Sequence, residues 1–164
     1  MLCGLSGTRL ARWFLPLWLA CLPLLVAQAN ELPTAIDLRH ESERARQLGG
    51  PLIILFSRHD CKYCATVRHD YLLPISTGQA YRDRIVVRQI DLDSRAPLID
   101  FHGEKTSHEA FAASMKIKLA PVVAFFGPGG QQLAPAIIGV RLPDFYQAYL
   151  EEALDQSIRK LHQP

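Results

Sequence analysis

The chain has 164 residues, with 18 lysines and arginines against 16 aspartates and glutamates and a 49% hydrophobic content. That is enough chain for one domain with a real core, and too little for several. Two of the arginines, Arg9 and Arg12, lie at the very start. Without them the charges balance, so no basic stripe argues for nucleic acid or an anionic membrane surface.

The start of the chain sets the compartment. Residues 1–12 hold Arg9 and Arg12 and no acid, and Trp13 to Val26 is apolar throughout, with Pro16 and Pro23 opposing a long straight helix. Ala27-Gln28-Ala29 supplies the small-x-small pattern of a cleavage site. The apolar run is shorter than the about 20 residues that a spanning helix needs. A cleavable signal peptide over residues 1–29 is therefore expected, followed by one domain over residues 30–164. A lipoprotein cysteine at Cys21 is the rival reading, but Trp18-Leu19-Ala20 suits it poorly and the apolar run continues past it. Cys3 and Cys21 leave with such a peptide, so Cys61 and Cys64 are the two cysteines that remain.

Along the rest of the chain, "ELPTAIDLRHESERARQLGG" predicts a helix. Thr34 and Asp37 form its capping box, Leu38, Ala45 and Leu48 its apolar face, and Gly49-Gly50 its stop. "PLIILFS" over 51–57 is a continuous apolar run that suits a strand buried on both faces. The cysteines follow, then a helical "CATVRHDYLL" and a short polar helix around 76–83. Residues 84–93 predict a second strand, and residues 94–117 a loop that becomes a helix near Ser107. "APVVAFFGPGGQQLAPAIIGV" predicts two strands around a Gly/Pro turn. From Leu142 to Leu161, the residues Leu142, Phe145, Tyr149, Ala153, Ile158 and Leu161 predict a long amphipathic helix lying on a sheet. No repeat or linker interrupts this order, which implies one α/β domain with a mixed sheet.

The chemistry lies in "FSRHDCKYCATVRHD". Haem attachment requires a histidine directly after the second cysteine, and Ala65 stands there. Structural zinc requires four ligands, so His59 or His69 would have to complete a set that has no second C-x-x-C. Two thiolates would suit Cu(I), which keeps a copper-binding chaperone or assembly factor open. A purely structural disulfide closes so small a loop that it restricts the unfolded chain little. A redox pair accounts for position as well as spacing. A cysteine where a strand passes into a helix meets the free N–H groups of the first turn, which favour thiolate, and the second cysteine lies one turn deeper and can resolve a mixed disulfide.

The region 34–160 resembles thioredoxin-fold proteins, most of all the periplasmic SoxW-type or DsbC-like thioredoxins. The resemblance rests on "LIILFSRHDCKYC", "VVRQIDLD", "DFHGEKTSHEAFAASMKIKLAPVVAFF" and "GPGGQQLAPAIIGVRLPDFYQAYLEEAL". It implies a single thioredoxin-like domain whose central mixed sheet is flanked by helices, with Pro121, after Ala120, at the place of a cis-proline that faces the redox pair and binds substrate. Three departures stand out. Leu55 replaces a buried aspartate, Lys62-Tyr63 replaces Gly-Pro, and His59-Asp60 replaces the usual aromatic neighbour.

The resulting expectation is a periplasmic thiol-disulfide oxidoreductase acting on protein disulfides, first as a reductase and second as an oxidase of secreted-protein thiols. A non-redox thioredoxin-like adaptor is a third alternative. Cys61 attacks and Cys64 resolves, with Ala120 and Pro121 binding substrate and His59 and Lys62 tuning the thiolate. No cofactor and no metal are expected. The expected partners are protein dithiols and disulfides and a membrane redox protein. Only residues 30–50 precede the first strand, too few for the separate domain through which DsbC-like isomerases dimerise, so a monomer is expected. Asp91 and Asp93 read as strand-end acids, and His69, His102 and His108 as surface residues.

Overall fold

The computed structural model describes residues 31–140 and 142–163. The expected signal peptide, with Cys3 and Cys21, lies outside the described residues.

Helix α1 spans Leu38–Gln47. Its cap is Asp37, whose Oδ1 accepts from the His40 N–H at 2.9 Å, and the predicted capping role of Thr34 is not found. Residues 33–35 are instead drawn along the sheet. The Ala35 N–H donates to Gln89 and the Gln89 N–H to Pro33, both at 2.9 Å, which holds Thr34 in extended backbone. Leu38 and Ala45 are buried as predicted, whereas Leu48, at the C-terminal cap, is exposed. Gly49 takes a φ of 83°, and a Cβ on Gly50 would collide with the Arg84 carbonyl, so both glycines are required where the helix stops.

Four strands make the main sheet: β1 (Leu52–Ser57), β2 (Val86–Asp91), β5 (Val122–Phe126) and β6 (Gln132–Ile138), in the order β2-β1-β5-β6. β1 runs parallel to β2 and antiparallel to β5, and β5 runs antiparallel to β6, so the sheet is mixed as expected. Between β2 and β5 the chain forms a small hairpin, β3 (Pro97–Ile99) and β4 (Lys105–Ser107), before helix α4 (His108–Ser114). Sequence periodicity missed this hairpin, because three-residue strands carry no readable alternation.

Alternation along β1 explains its unbroken apolar run. Ile53 and Leu55 face one core layer with Val123, Phe125, Val67, Leu72 and Leu150. Leu52, Ile54 and Phe56 face the other, with Leu38, Phe111, Val122 and Phe126. Helices on both faces leave no position of β1 in water. After the cysteines, helix α2 (Lys62–Thr66) passes through a π-helical stretch, Val67–Leu72, into α3 (Leu73–Thr77). The short helix predicted around 76–83 is not formed as such. Helical structure ends at Thr77, and the N–H groups of Tyr81 and Arg82 turn back onto the Gly78 carbonyl.

Helix α5 spans Pro143–Leu161 and lies on the sheet, but not by the face predicted. Its buried residues are Tyr146, Leu150, Ala153, Leu154 and Ser157. Leu142, Phe145 and Tyr149 are exposed and lie on a different side of the helix. Only Ala153 belongs both to the predicted stripe and to the fully buried face.

Candidate active site

β1 ends at Ser57, and three exposed residues, Arg58, His59 and Asp60, lead to Cys61. Cys61 has extended backbone (φ −111°, ψ 97°) and caps α2, with its Sγ accepting the Cys64 N–H at 3.1 Å. The cap position places the sulfur against N–H groups that have no helical partner, in the positive end of the helix. The Cys61 carbonyl accepts from Ala65 at 3.1 Å, so the following turn is already helical. Cys64 is fully buried while Cys61 is half-buried, and the two are joined as a disulfide with their Cα atoms 5.1 Å apart.

The second half of the site comes from β5. Phe56 pairs with Val122, so the register places Pro121 across from Ser57, beside the point where the cysteine loop leaves the sheet. The Ala120–Pro121 peptide is cis. Pro121 is buried and Ala120 half-buried. The Pro121 carbonyl accepts from the Gly139 N–H at 2.9 Å, tying this turn to the end of β6. Arg58, which sequence reasoning passed over, crosses between the two halves, donating from Nη2 to the Lys118 carbonyl at 3.2 Å. A lone arginine in an exposed loop carries no periodic signal that could have marked it.

The other predicted residues take varied places. Lys62 is the exposed first residue of α2. His59 is held through its backbone, its N–H donating to Asp93 Oδ2 at 3.3 Å, and it lines a polar cleft of about 750 Å³ with Arg58, Arg68, Asp91 and Asp93. Asp91 accepts from Gln89 Nε2 at 2.8 Å, so the two acids brace loop and strand. Leu55 is fully buried between Gln89 and Val123. Of the three histidines expected at the surface, His69 and His102 are exposed, but His108 is completely buried. Its Nδ1 accepts the Asp91 N–H at 3.1 Å and its Nε2 lies 3.0 Å from the Ala35 carbonyl. Those partners require the neutral ring with its proton on Nε2. The Asp91 N–H at the end of β2 and the Ala35 carbonyl before α1 needed an acceptor and a donor at once, which a sequence pattern does not display. Among the described residues, no group of three or more His, Cys, Asp or Glu is placed to hold a metal ion.

A thioredoxin-like domain model matches residues 38–154. The chain belongs to that family. Among solved structures, a thioredoxin-fold protein from Helicobacter pylori is similar at 14% identity, with a TM-score of 0.55 over 81% of this chain and 83% of that one. Mitochondrial thioredoxin 3 from Saccharomyces cerevisiae, in its oxidised form, is 19% identical with a TM-score of 0.49, covering 77% of this chain and 96% of its own. Thioredoxin O2 from Arabidopsis thaliana, also oxidised, is 17% identical with a TM-score of 0.45 over 73% and 95%. A search of curated proteins found no match. Family membership, joined to a C-x-x-C disulfide at the start of a helix, supports thiol-disulfide oxidoreductase activity.

Proposed function

We propose that this thioredoxin-like protein is a periplasmic reductase of protein disulfides. The observation that carries the reading is the unequal placing of two sulfurs, with Cys61 at the helix cap and partly open and Cys64 buried one turn in. Cys61 thiolate attacks one sulfur of a substrate disulfide and forms a mixed disulfide, and the substrate's other sulfur leaves as thiolate and takes up a proton. Cys64, having lost its own proton, then attacks Cys61 Sγ. The Cys61–Cys64 disulfide forms and the substrate leaves as a dithiol, reduced by two electrons. A membrane dithiol carrier returns those electrons to the pair.

Ala120 and Pro121 support this reading by their place beside the cysteine loop, where the Ala120 backbone can pair with an extended substrate segment. Lys62 adds positive charge at the first turn, and His59 borders the same loop. The periplasmic location and the cleaved segment 1–29 rest on the N-terminal sequence. The assignment of the sulfurs is tested by trapping. Cys64→Ala should accumulate covalent complexes with periplasmic proteins on non-reducing gels, and Cys61→Ala few. Equal trapping by both variants would overturn the assignment. Direction is tested by equilibrating the pair with glutathione. A potential near about −270 mV fits a reductase, and one near about −120 mV would make the protein an oxidant.

A further inference from the structure

Two loops meet at the redox site, and the Arg58 side chain joins them. The β1–β5 ladder ends where Phe56 pairs with Val122. Two residues past Phe56, Arg58 is exposed, yet its Nη2 donates to the Lys118 carbonyl at 3.2 Å, 60 residues along the chain. Asp91 and Asp93 line the same cleft as Arg58, but among the described residues neither forms an ion pair with it. The guanidinium spans the gap between the loops instead. Its own base is fixed, because Ser57 ends β1 and the His59 N–H donates to Asp93 Oδ2 at 3.3 Å.

The segment that Arg58 holds has few other ties. After α4 the chain reverses at Lys116, which takes a φ of 58°, and the Ile117 N–H donates back to the Ala112 carbonyl at 3.0 Å. The next backbone bond comes at Pro121, whose carbonyl accepts from the Gly139 N–H at 2.9 Å. Among the described residues, the backbone groups of Lys118, Leu119 and Ala120 find no backbone partner, and Arg58 supplies the one hydrogen bond that this stretch accepts. Ala120 therefore lies between two anchored carbonyls, half-buried, with its own N–H and C=O left over. A spare donor and acceptor held at a fixed height are what an added extended segment requires.

Resting on the reading that Ala120 pairs with an extended substrate, we propose that Arg58 is a positioning residue for that substrate. Its bond to Lys118 sets the Ala120 backbone at the distance from the cysteine loop at which a paired chain presents its disulfide to Cys61. The guanidinium acts through the loop and not on the sulfur. The probes are a peptide with an intramolecular disulfide, copies of it methylated at one backbone nitrogen at a time, and bis(2-hydroxyethyl) disulfide, which has no backbone to pair. In Arg58→Ala the ratio of kcat/KM for the peptide to that for bis(2-hydroxyethyl) disulfide should fall about fivefold, through KM, as expected for losing an exposed hydrogen bond from a charged donor. Arg58 is exposed, so the change spares the core. Methylation at the pairing nitrogen should raise KM in the wild type and should cost much less in Arg58→Ala, because the two changes remove one interaction. The pH midpoint of iodoacetamide labelling of Cys61 should be the same in both proteins. A moved midpoint, with both disulfides slowed alike, would make Arg58 a charge acting on the thiolate and overturn the positioning role. So would an unchanged ratio, or methylation costs that add in full. A wild type indifferent to methylation at every position overturns the Ala120 pairing itself, and is thereby distinguished from failure of Arg58 alone.

Discussion

Two strands of this molecule feed helices through a capping side chain, β4 into α4 at Ser107 and β1 into α2 at Cys61. Both residues have extended backbone, and both side chains accept an N–H from three residues on, Ala110 at 3.2 Å and Cys64 at 3.1 Å. The difference lies in the atom and in its surroundings. A hydroxyl beside a helix N-terminus stays protonated and only satisfies the backbone, whereas a thiol there is drawn toward its reactive anion. Next to Ser107 stands His108, buried and bonded on both nitrogens. Next to Cys61 stand Asp60 and Lys62, both exposed. One junction is locked by its neighbours and the other is open to a partner.

The most severe way to break the comparison is to make the junctions chemically alike. Cys61→Ser keeps a capping oxygen, so the reduced protein should melt within about 0.5 kcal/mol of the wild type. Disulfide exchange should fall by at least about a thousandfold, because a hydroxyl at neutral pH is not a nucleophile toward sulfur. Turnover with a protein disulfide and melting under reducing conditions measure the two effects. Substantial residual exchange would transfer the attacking role to Cys64.

A second substitution attacks the locked junction. His108→Ala removes both partners of the Asp91 N–H and the Ala35 carbonyl and leaves a cavity. A loss of about 2–4 kcal/mol is expected in urea unfolding, with exchange per folded molecule unchanged. A loss under about 1 kcal/mol would show that water replaces the ring at little cost.

These junctions also show what could be read from the chain alone. The strand over 52–57 was legible because six buried residues in a row have few other uses, and the cysteine pair because its spacing is short and its place after that strand is plain. The α5 face was misread for a definite reason. Leu142, Phe145 and Tyr149 obey helical spacing as well as Tyr146, Leu150 and Leu154 do, and periodicity does not say which of two apolar stripes meets a sheet. Thr34 was misread as a cap because pairing of residues 33–35 with Gln89 is a long-range event. His108 follows the same rule, since its partners lie 17 and 73 residues away in sequence.

Ser107→Ala sharpens the comparison at a smaller scale. It removes the oxygen that accepts the Ala110 N–H and should cost about 1 kcal/mol. Exchange by Cys61 should not change, because α4 packs against the other core layer. Chemical denaturation and a turnover assay on the same sample separate these outcomes. A coupled loss of exchange would mean that the two junctions communicate.

The smallest expected effect separates the helix end from the side chain beside it. Cys61 is exposed to two favourable influences, the free N–H groups of the first turn and the Lys62 ammonium. Lys62 is exposed, so water and salt screen its charge, and about 8 Å is the screening length at physiological ionic strength. The N–H groups are fixed by the backbone, and one already reaches the sulfur. Lys62→Gln keeps the helix start and removes only the charge. In reduced protein it should slow iodoacetamide labelling of Cys61 by less than about threefold at low salt, and by less still at high salt. The sign is set by the anion. Losing a nearby cation disfavours thiolate, so the midpoint of the labelling profile should move to higher pH. A shift of more than about one pH unit, or one that ignores salt, would mean that the lysine, and not the helix end, holds the thiolate, and the likeness between the two capped junctions would then stop at their geometry.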